Sequence, residues 1–369
     1  MLTRLSVDLD ALHHNLSVAR DLAGGRMVLA PVKADAYGHG LVPVARSIQE
    51  HGTAEWLGVA LVEEGRHLRS GGVTLPILKF SPTLAEELDD AIAAAITLSV
   101  GDDASVDQLQ ATAKRAGQVV DVHLKVDTGM RRVGVEEADA ARLAARIDAA
   151  PNLHLQGVFT HLPVSDVEPG VYYTRDQLAR FYAVVEEIER SHGAIELVHV
   201  ANSGAVLGHD LGRSNLIRPG IMIYGSYPDV VGHQRAALRD VARWTSRVNF
   251  VKRISAGEAV GYGRTWVAER DTWIATVAIG YGDGYSRRFS SPGRMLIDGV
   301  SYPVVGRVCM DQTMLDLGPE PPSVRVGDEV VVMGTSGDQR IGVEELATLM
   351  DTITYEVTCL ITARVQRCY

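Results

Sequence analysis

Between residues 27 and about 225, short apolar runs alternate with longer stretches rich in Ala, Glu, Asp and Arg that have helical spacing. The apolar runs are Met27–Val32, Trp56–Val62, Leu75–Phe80, Ile96–Val100, Val119–Val126, Leu153–Thr160, Ile195–Val200 and Leu216–Tyr224. Helical candidates between them include Thr83–Ala95, Ala104–Ala116, Glu136–Ala149 and Thr174–His192. Strands that alternate with helices form parallel sheets, and eight such units close a (β/α)8 barrel. We therefore predict an α/β protein with an N-terminal TIM-like barrel.

The pattern changes near residue 235. From Trp244 onward, short β-rich segments are separated by Gly, Pro, Asp and Ser turns, and the next long helical pattern is Val343–Met350. This pattern is typical of an antiparallel β-domain. We predict a barrel domain over 1–235 and a mainly antiparallel β domain over 236–369, with residues 1–10 compatible with either.

Composition excludes several classes of function. The net charge of −10 without a basic block disfavours nucleic-acid binding, and no apolar run reaches the length of a membrane span. The start lacks the pattern of a secretory signal peptide. The three cysteines are odd in number, lie late in the chain and have no zinc-site spacing, so we expect no metal site. These features predict a reduced, cytoplasmic protein.

The first apolar run delivers a lysine, Lys33, to its end, followed closely by Tyr37-Gly38-His39-Gly40. A desolvated amine loses its proton readily and can form a Schiff base with an aldehyde. From this stretch alone, a lysine that extends its amine into water is an equally good interpretation.

Polar residues cluster at the ends of the other predicted strands, where barrel enzymes carry their active sites. The clusters are Lys125–Arg132, Thr160-His161, Asn202-Ser203-Gly204 and Arg218-Pro219-Gly220. The ends of the last two strands are also where such barrels bind phosphate. A lysine that forms a Schiff base beside a phosphate site indicates pyridoxal 5′-phosphate.

The motifs on this rim, with others in the second domain, resemble those of the alanine racemase family along nearly the whole chain. They are Val32–Gly40, Lys125–Met130, Asn202-Ser203, Arg218–Ile221, Gly261–Thr265, Gly280–Gly284, Cys309-Met310-Asp311 and Thr354-Tyr355-Glu356. The resemblance implies a pyridoxal-phosphate enzyme that interconverts L- and D-alanine for peptidoglycan. It also implies a homodimer in which the second domain completes the partner's active site.

The resemblance assigns a role to each site residue. Lys33 would bind the cofactor and act as one base, with Tyr262 as the opposing base. A hydrogen-bonded chain would run from Tyr262 through His161 to Arg218, the partner of the pyridine nitrogen. Arg132 would contact the substrate carboxylate, and Lys125 matches a lysine that many members carry as a carbamate, although an unmodified amine is an alternative. The remaining matches are Tyr37, Ser203, Gly220, Ile221 and Tyr355 for the phosphate and Met310, Asp311 and Tyr281 for the substrate pocket and its entry.

Two departures lie near the predicted site. Arg131 stands where the family commonly has glycine, and Leu-Pro-Val-Ser-Asp follows His161 in place of small residues.

Four other functions share parts of this pattern. They are a racemase for serine or a broader range of amino acids, a decarboxylase of basic amino acids, a pyridoxal-phosphate carrier and an aldolase without cofactor.

Overall fold

The computed structural model describes residues 2–228 and 235–369, which form two compact units. We call Asp10–Ala36 with Gly40–Arg239 the barrel unit. We call Met1–Leu9 with Tyr37–His39 and Asp240–Tyr369 the β unit.

The barrel unit is built on parallel strands. In chain order they are β2 (Met27–Pro31), β3 (Trp56–Val59), β4 (Ile77–Lys79), β5 (Ile96–Val100), β6 (Val120–Asp127), β7 (Val135–Glu136), β8 (Leu153–Phe159), β9 (Leu197–His199) and β10 (Leu216–Ile217). Their order is β10-β2-β3-β4-β5-β6-β8-β9, with β7 paired to β6. Backbone bonds from Asn215 N to Val198 O (3.0 Å) and from Arg218 N to Ala201 O (2.8 Å) join the two ends. The predicted eight-stranded barrel is confirmed.

One helix precedes the first strand of this unit, and the other helices follow its strands. They are α1 (Leu9–Leu22), α2 (Lys33–Tyr37), α3 (Leu41–His51), α4 (Val62–Ser70), α5 (Leu88–Ala93), α6 (Asp103–Ala116), α7 (Ala140–Asp148), α8 (Val171–His192) and α9 (Ser203–Gly208). Helix α6 shows how local sequence sets the ends: the Asp102 carboxylate accepts from Ser105 N at 2.7 Å, and Gly117 ends the helix at φ 65°. In the described residues, no helix has the length and apolar character needed to cross a membrane.

Helix α2 is a left-handed turn. Ala34, Asp35, Ala36 and Tyr37 all have φ between 53° and 56°. For L-residues this conformation costs roughly 1–2 kcal/mol per residue. The turn directly after Lys33 is therefore a strained segment that contacts elsewhere must hold in place.

The β unit is a mainly antiparallel sheet. Its strands are β1 (Arg4–Val7), β11 (Ala242–Ile254), β12 (Ala259–Val260), β13 (Trp266–Val267), β14 (Thr272–Val277), β15 (Arg294–Ile297), β16 (Val300–Val305), β17 (Thr313–Gly318), β18 (Glu329–Ser336), β19 (Gln339–Ile341) and β20 (Gln366–Cys368). The main order is β19-β18-β15-β16-β17-β14-β11-β1-β20, and β1 and β20 run parallel. Helices α10 (Val343–Met350) and α11 (Thr354–Cys359) complete the unit. The predicted antiparallel character is confirmed.

Candidate active site

Lys33 begins the left-handed turn that follows β2, at the rim formed by the carboxyl ends of the barrel strands. Its side chain is half-buried. The other barrel residues predicted for the site lie at the ends of neighbouring strands. Lys125 is on β6, His161 follows β8, and Arg218 follows β10. The topology thus brings the predicted amine, imidazole and guanidinium groups to one rim.

Arg218 is buried, and its guanidinium is fixed by three acceptors. Nη1 contacts Nδ1 of His199 at 2.8 Å, and Nη2 donates to the carbonyl oxygens of Thr160 (2.7 Å) and Val200 (3.1 Å). Burial lowers the pKa of Arg218 to about 9, so the group remains a cation at neutral pH. It therefore acts as a donor whose direction is set by its neighbours.

A chain of hydrogen bonds continues from Arg218 into the barrel core. Because a guanidinium only donates, His199 accepts at Nδ1 and carries its proton on Nε2. Nε2 lies 2.8 Å from Nδ1 of His123, and His123 Nε2 lies 3.4 Å from Oε1 of Gln156. Burial lowers the pKa of His123 to about 3 and that of His199 well below its usual value. Both rings are therefore neutral. Each group in the chain donates to the next, in the order Arg218, His199, His123 and Gln156.

Lys125 lies on β6 among cations. Burial lowers the pKa of Lys125 to about 7, with Arg218 and Arg132 adding to the effect. Its ammonium lies 4.3 Å from the centre of the Phe159 ring. Near neutral pH a large fraction of Lys125 is a neutral, nucleophilic amine.

His161 lies within electrostatic reach of the four charged barrel residues predicted for the site. Burial lowers the pKa of His161 well below its usual value. The nearby cations lower this pKa further, in decreasing order of effect Arg218, Lys125, Arg132 and Lys33. The ring is thus neutral at physiological pH and can accept a hydrogen bond. Arg132 itself is exposed. The predicted link from His161 to Arg218 stays a prediction, because the Arg218 bonds described above run to His199 and to carbonyl oxygens.

The predicted phosphate residues of the barrel unit lie at the ends of β9 and β10. Ser203 begins α9, is buried, and its Oγ accepts from Met222 N at 3.3 Å. Gly220 and Ile221 are buried at the start of a short 3-10 helix, Ile221–Tyr224. The loop after β9 is thus tied to the loop after β10.

The β unit contains the other two residues predicted to bind phosphate. Tyr37 is buried, and its ring lies 6.0 Å from that of Tyr355. Burial raises the pKa of Tyr37 above its usual value, and the neighbouring Tyr355 and Cys359 raise it further. The Tyr37 hydroxyl therefore stays protonated and can donate.

Tyr262, Tyr281 and Met310 all lie on turns of the β unit and are exposed in the single chain, with relative accessibilities of 74%, 41% and 52%. Gly261 and Gly263, which flank Tyr262, have φ of 75° and 71°, a conformation that glycine adopts without strain.

Contacts within the β unit hold two of these turns together. Tyr281 N donates to Cys309 O at 3.0 Å, and a Cβ on Gly280 would lie 2.2 Å from the same oxygen. Asp311 pairs with Arg364 at 2.7 Å. The turns that carry Tyr281 and Met310 are thus packed backbone against backbone.

The barrel rim fits pyridoxal phosphate chemically. The cofactor has an aldehyde, a ring nitrogen and a phosphate, and the rim offers the amine of Lys33, the guanidinium of Arg218 and the hydroxyl of Ser203. Each of these three groups has the chemistry to react with, or to donate a hydrogen bond to, one functional group of the cofactor.

Sequence reasoning missed the residues that support Arg218. His199 and His123 are buried on β9 and β6, and Gln156 lies on β8. A histidine within an apolar strand, as in Leu197-Val198-His199, was the available signal. The spacing of residues along the sequence does not predict that His199 contacts Arg218.

Comparison with known proteins gives matches along the chain. The model described as "Alanine racemase, N-terminal domain" matches residues 7–228, and "Alanine racemase, C-terminal domain" matches residues 241–369. The alanine racemase of Cutibacterium acnes is 48% identical over 361 residues, which cover 98% of this chain and 96% of that protein.

Solved structures agree with these matches. The alanine racemase of Clostridium difficile 630 has a TM-score of 0.93 at 34% identity, covering 100% of this chain and 95% of that one. The alanine racemase from Bacillus anthracis with bound L-Ala-P has a TM-score of 0.92 at 33% identity, covering 99% and 94%.

Proposed function

Because the chain belongs to the alanine racemase family, we propose that it interconverts L-alanine and D-alanine with pyridoxal 5′-phosphate as cofactor. The product D-alanine would supply peptidoglycan synthesis. The three cysteines, all within the described residues 235–369, form no disulfide, which is compatible with the reducing cytoplasm, where we place the enzyme. The observation that carries the proposal is the barrel rim, where Lys33 and Arg218 both lie within electrostatic reach of His161.

Racemisation needs a proton removed from one face of Cα and returned to the other. The cofactor, when bound, withdraws electrons from Cα and so acidifies that proton. Lys33 holds the cofactor through its amine and then serves as the base on one face. A single amine cannot easily serve both faces, so a second group is required.

Tyr262 is the second base in this proposal. Its side chain is exposed in the single chain, which leaves it available to the barrel of a second copy. A phenol has a pKa near 10 and needs an acceptor to lose its proton at neutral pH. The neutral His161 provides such an acceptor. The active enzyme is therefore a homodimer whose two sites each use residues of both chains.

Arg218 limits the reaction to a proton exchange. A guanidinium donates a hydrogen bond to a ring nitrogen but does not readily give up its proton. By donating a hydrogen bond and keeping its proton, Arg218 would leave the ring nitrogen unprotonated and the cofactor a weaker acceptor of electrons. This disfavours decarboxylation and transamination and suits a short-lived loss of one proton.

Arg132 and Lys125 would organise the carboxylate side of the site. The neutral amine of Lys125 can add to carbon dioxide, giving a carbamate anion and releasing one proton. That anion would attract the guanidinium of Arg132 and orient it toward the substrate carboxylate. Met310, Asp311 and Tyr281 of the partner chain would line the remaining pocket and its entry.

Incubation of L-alanine in deuterium oxide tests the activity. We expect D-alanine that carries deuterium at Cα, and no carbon dioxide. Borohydride treatment of the purified enzyme should fix the cofactor on Lys33. A product without deuterium or a label elsewhere would contradict the proposal.

Mixing two inactive variants tests the shared site. In a mixed dimer of Lys33→Ala and Tyr262→Phe, one site keeps both bases and the other keeps neither. After random subunit exchange of equal amounts, about a quarter of wild-type activity should return. Tyr302→Phe, a half-buried tyrosine on β16, serves as the control and should remain active. Full activity of Tyr262→Phe alone would remove Tyr262 from the mechanism.

A further inference from the structure

Glu64 lies on α4, after β3, yet its carboxylate reaches the residue that follows Lys33. Oε1 accepts from Ala34 N at 2.6 Å. Oε2 accepts from Ala60 N at 2.8 Å and from Leu61 N at 3.1 Å. Both oxygens are thus engaged by backbone donors, and one carboxylate joins the ends of two neighbouring barrel strands.

The bond to Ala34 acts at a sensitive place in the backbone. Ala34 N belongs to the peptide plane that joins Lys33 to the left-handed turn, where Ala34 has φ 53°. Rotation of that plane would change both the direction in which Lys33 leaves the strand and the conformation of Ala34. An acceptor that holds this N–H therefore fixes the backbone under the lysine.

Other contacts favour the same arrangement. At the far end of the turn, the Asp35 carboxylate accepts from Leu41 N at 2.7 Å. Lys79, buried at the end of β4, lies within electrostatic reach of Glu64. The positive charge of Lys79 and the negative charge of the Glu64 carboxylate attract each other.

We propose that Glu64 is a positioning residue for Lys33, which acts by holding the peptide bond between Lys33 and Ala34. The consequence for catalysis rests on the proposed function, in which Lys33 binds the cofactor and moves a proton. The contact itself does not rest on it. Glu64 is distinct from the groups that touch the substrate, because it acts through the backbone.

Two substitutions separate this contact from the capping of α4. Glu64→Gln has one carbonyl oxygen, so its NH2 group must face a donor at Ala34 or at Ala60 and Leu61. Glu64→Asp is shorter, and it should keep the nearby contacts of its own helix while losing Ala34. Glu63→Gln is the matched control, because Glu63 is exposed and pairs with Arg66 and His67 on the surface.

Hydrogen exchange of the holoenzyme, followed by mass spectrometry of overlapping peptides that begin at or before Val32, measures the contact directly. We expect the Ala34 amide to exchange about 10- to 100-fold faster in Glu64→Asp, since a bond to a charged acceptor is lost. Exchange at Leu61 should change much less, and Glu63→Gln should match the wild type. Unchanged exchange at Ala34 in both Glu64 variants would overturn the proposal.

Kinetics then tests the link to Lys33. We expect a roughly tenfold lower kcat with little change in KM. The α-deuterium isotope effect should rise for one alanine enantiomer only, because Lys33 removes the proton from one face. Isotope effects that stay unchanged for both enantiomers would reduce Glu64 to a structural role. Failure of the wild type to label at Lys33 would instead refute the proposed function and leave the exchange result standing.

Discussion

Replacing His199 by phenylalanine should expose how much the buried hydrogen-bond chain contributes to stability. The ring of His199 stacks on Phe159 with centroids 4.7 Å apart and planes inclined by 3°. Phenylalanine keeps a flat aromatic ring and this stacking, and the change deletes the hydrogen bonds of the imidazole. It removes the acceptor for Nη1 of Arg218 and the donor to Nδ1 of His123.

The expected loss follows from those two bonds. A hydrogen bond to a charged group contributes about 1.5–3 kcal/mol, and a neutral one about 0.5–1.5 kcal/mol. His199→Phe should therefore lower the free energy of unfolding by roughly 2–4 kcal/mol. Arg218→Met should also destabilise the protein, because it leaves Nδ1 of His199 buried without its donor. In the double variant H199F/R218M the unpaired charge is gone, so its cost should be smaller than the sum by about 1.5–3 kcal/mol.

Urea unfolding of the four proteins at one concentration measures this coupling. Fluorescence of Trp56 reports on the barrel core, because its ring lies 5.5 Å from that of His123. The control is His154→Phe on β8, where the side chain is 43% exposed and pairs with Asp121, and it should cost less than about 1 kcal/mol. Additive costs of His199→Phe and Arg218→Met, or a loss below that of the control, would refute the account.

Three further predictions follow from the backbone and from Lys125. Gly38→Ala should destabilise the protein by about 3 kcal/mol or more, since a Cβ there would lie 2.1 Å from Thr358 O. Gly52→Ala, also at positive φ but in open space, should cost about 1 kcal/mol. Thermal unfolding compares the two variants, and equal losses of stability would contradict the clash. Arg131→Gly should change the free energy of unfolding by less than about 1 kcal/mol. Glycine removes the backbone strain at φ 56°, and this gain offsets the loss of the exposed ion pair between Arg131 and Glu136. A decrease of more than about 2 kcal/mol in urea unfolding would disprove this. Because the pKa of Lys125 is lowered to about 7 in the folded protein, between pH 7 and about 10.5 the unfolded chain binds a proton there that the folded protein lacks. In buffer free of carbon dioxide, the stability of the wild type relative to Lys125→Met should therefore rise by up to about 5 kcal/mol as the pH increases across that window. Urea unfolding at several pH values measures this difference, and a difference that does not change with pH would exclude the lowered pKa.

Local patterns predicted the strands well because barrel strands are continuous apolar runs. The last strand was the exception, since Leu216–Tyr224 is apolar throughout but only Leu216–Ile217 pairs in the sheet. Pro219 has no N–H to donate, and the chain turns into a short 3-10 helix after Gly220. The predicted run was therefore too long for a physical reason visible in its own sequence.

Other features could not be predicted from local sequence. Ala34-Asp35-Ala36 has no glycine, and alanine disfavours left-handed backbone, yet Ala34 N donates to Glu64, 30 residues away. Arg131 also has positive φ, at 56°. Glycine adopts such a backbone without strain, so tertiary contacts must impose it on an arginine.

The position of β1 has a consequence for biosynthesis. This strand, made first, pairs in parallel with β20, made last, through the register Arg4↔Gln366 and Ser6↔Cys368. Its antiparallel neighbour β11 is also translated only after the barrel strands. The emerging chain must therefore keep β1 unpaired until β11 and β20 have been made. Contacts of such large sequence separation slow folding, so the barrel unit has time to fold before the sheet of the β unit can close.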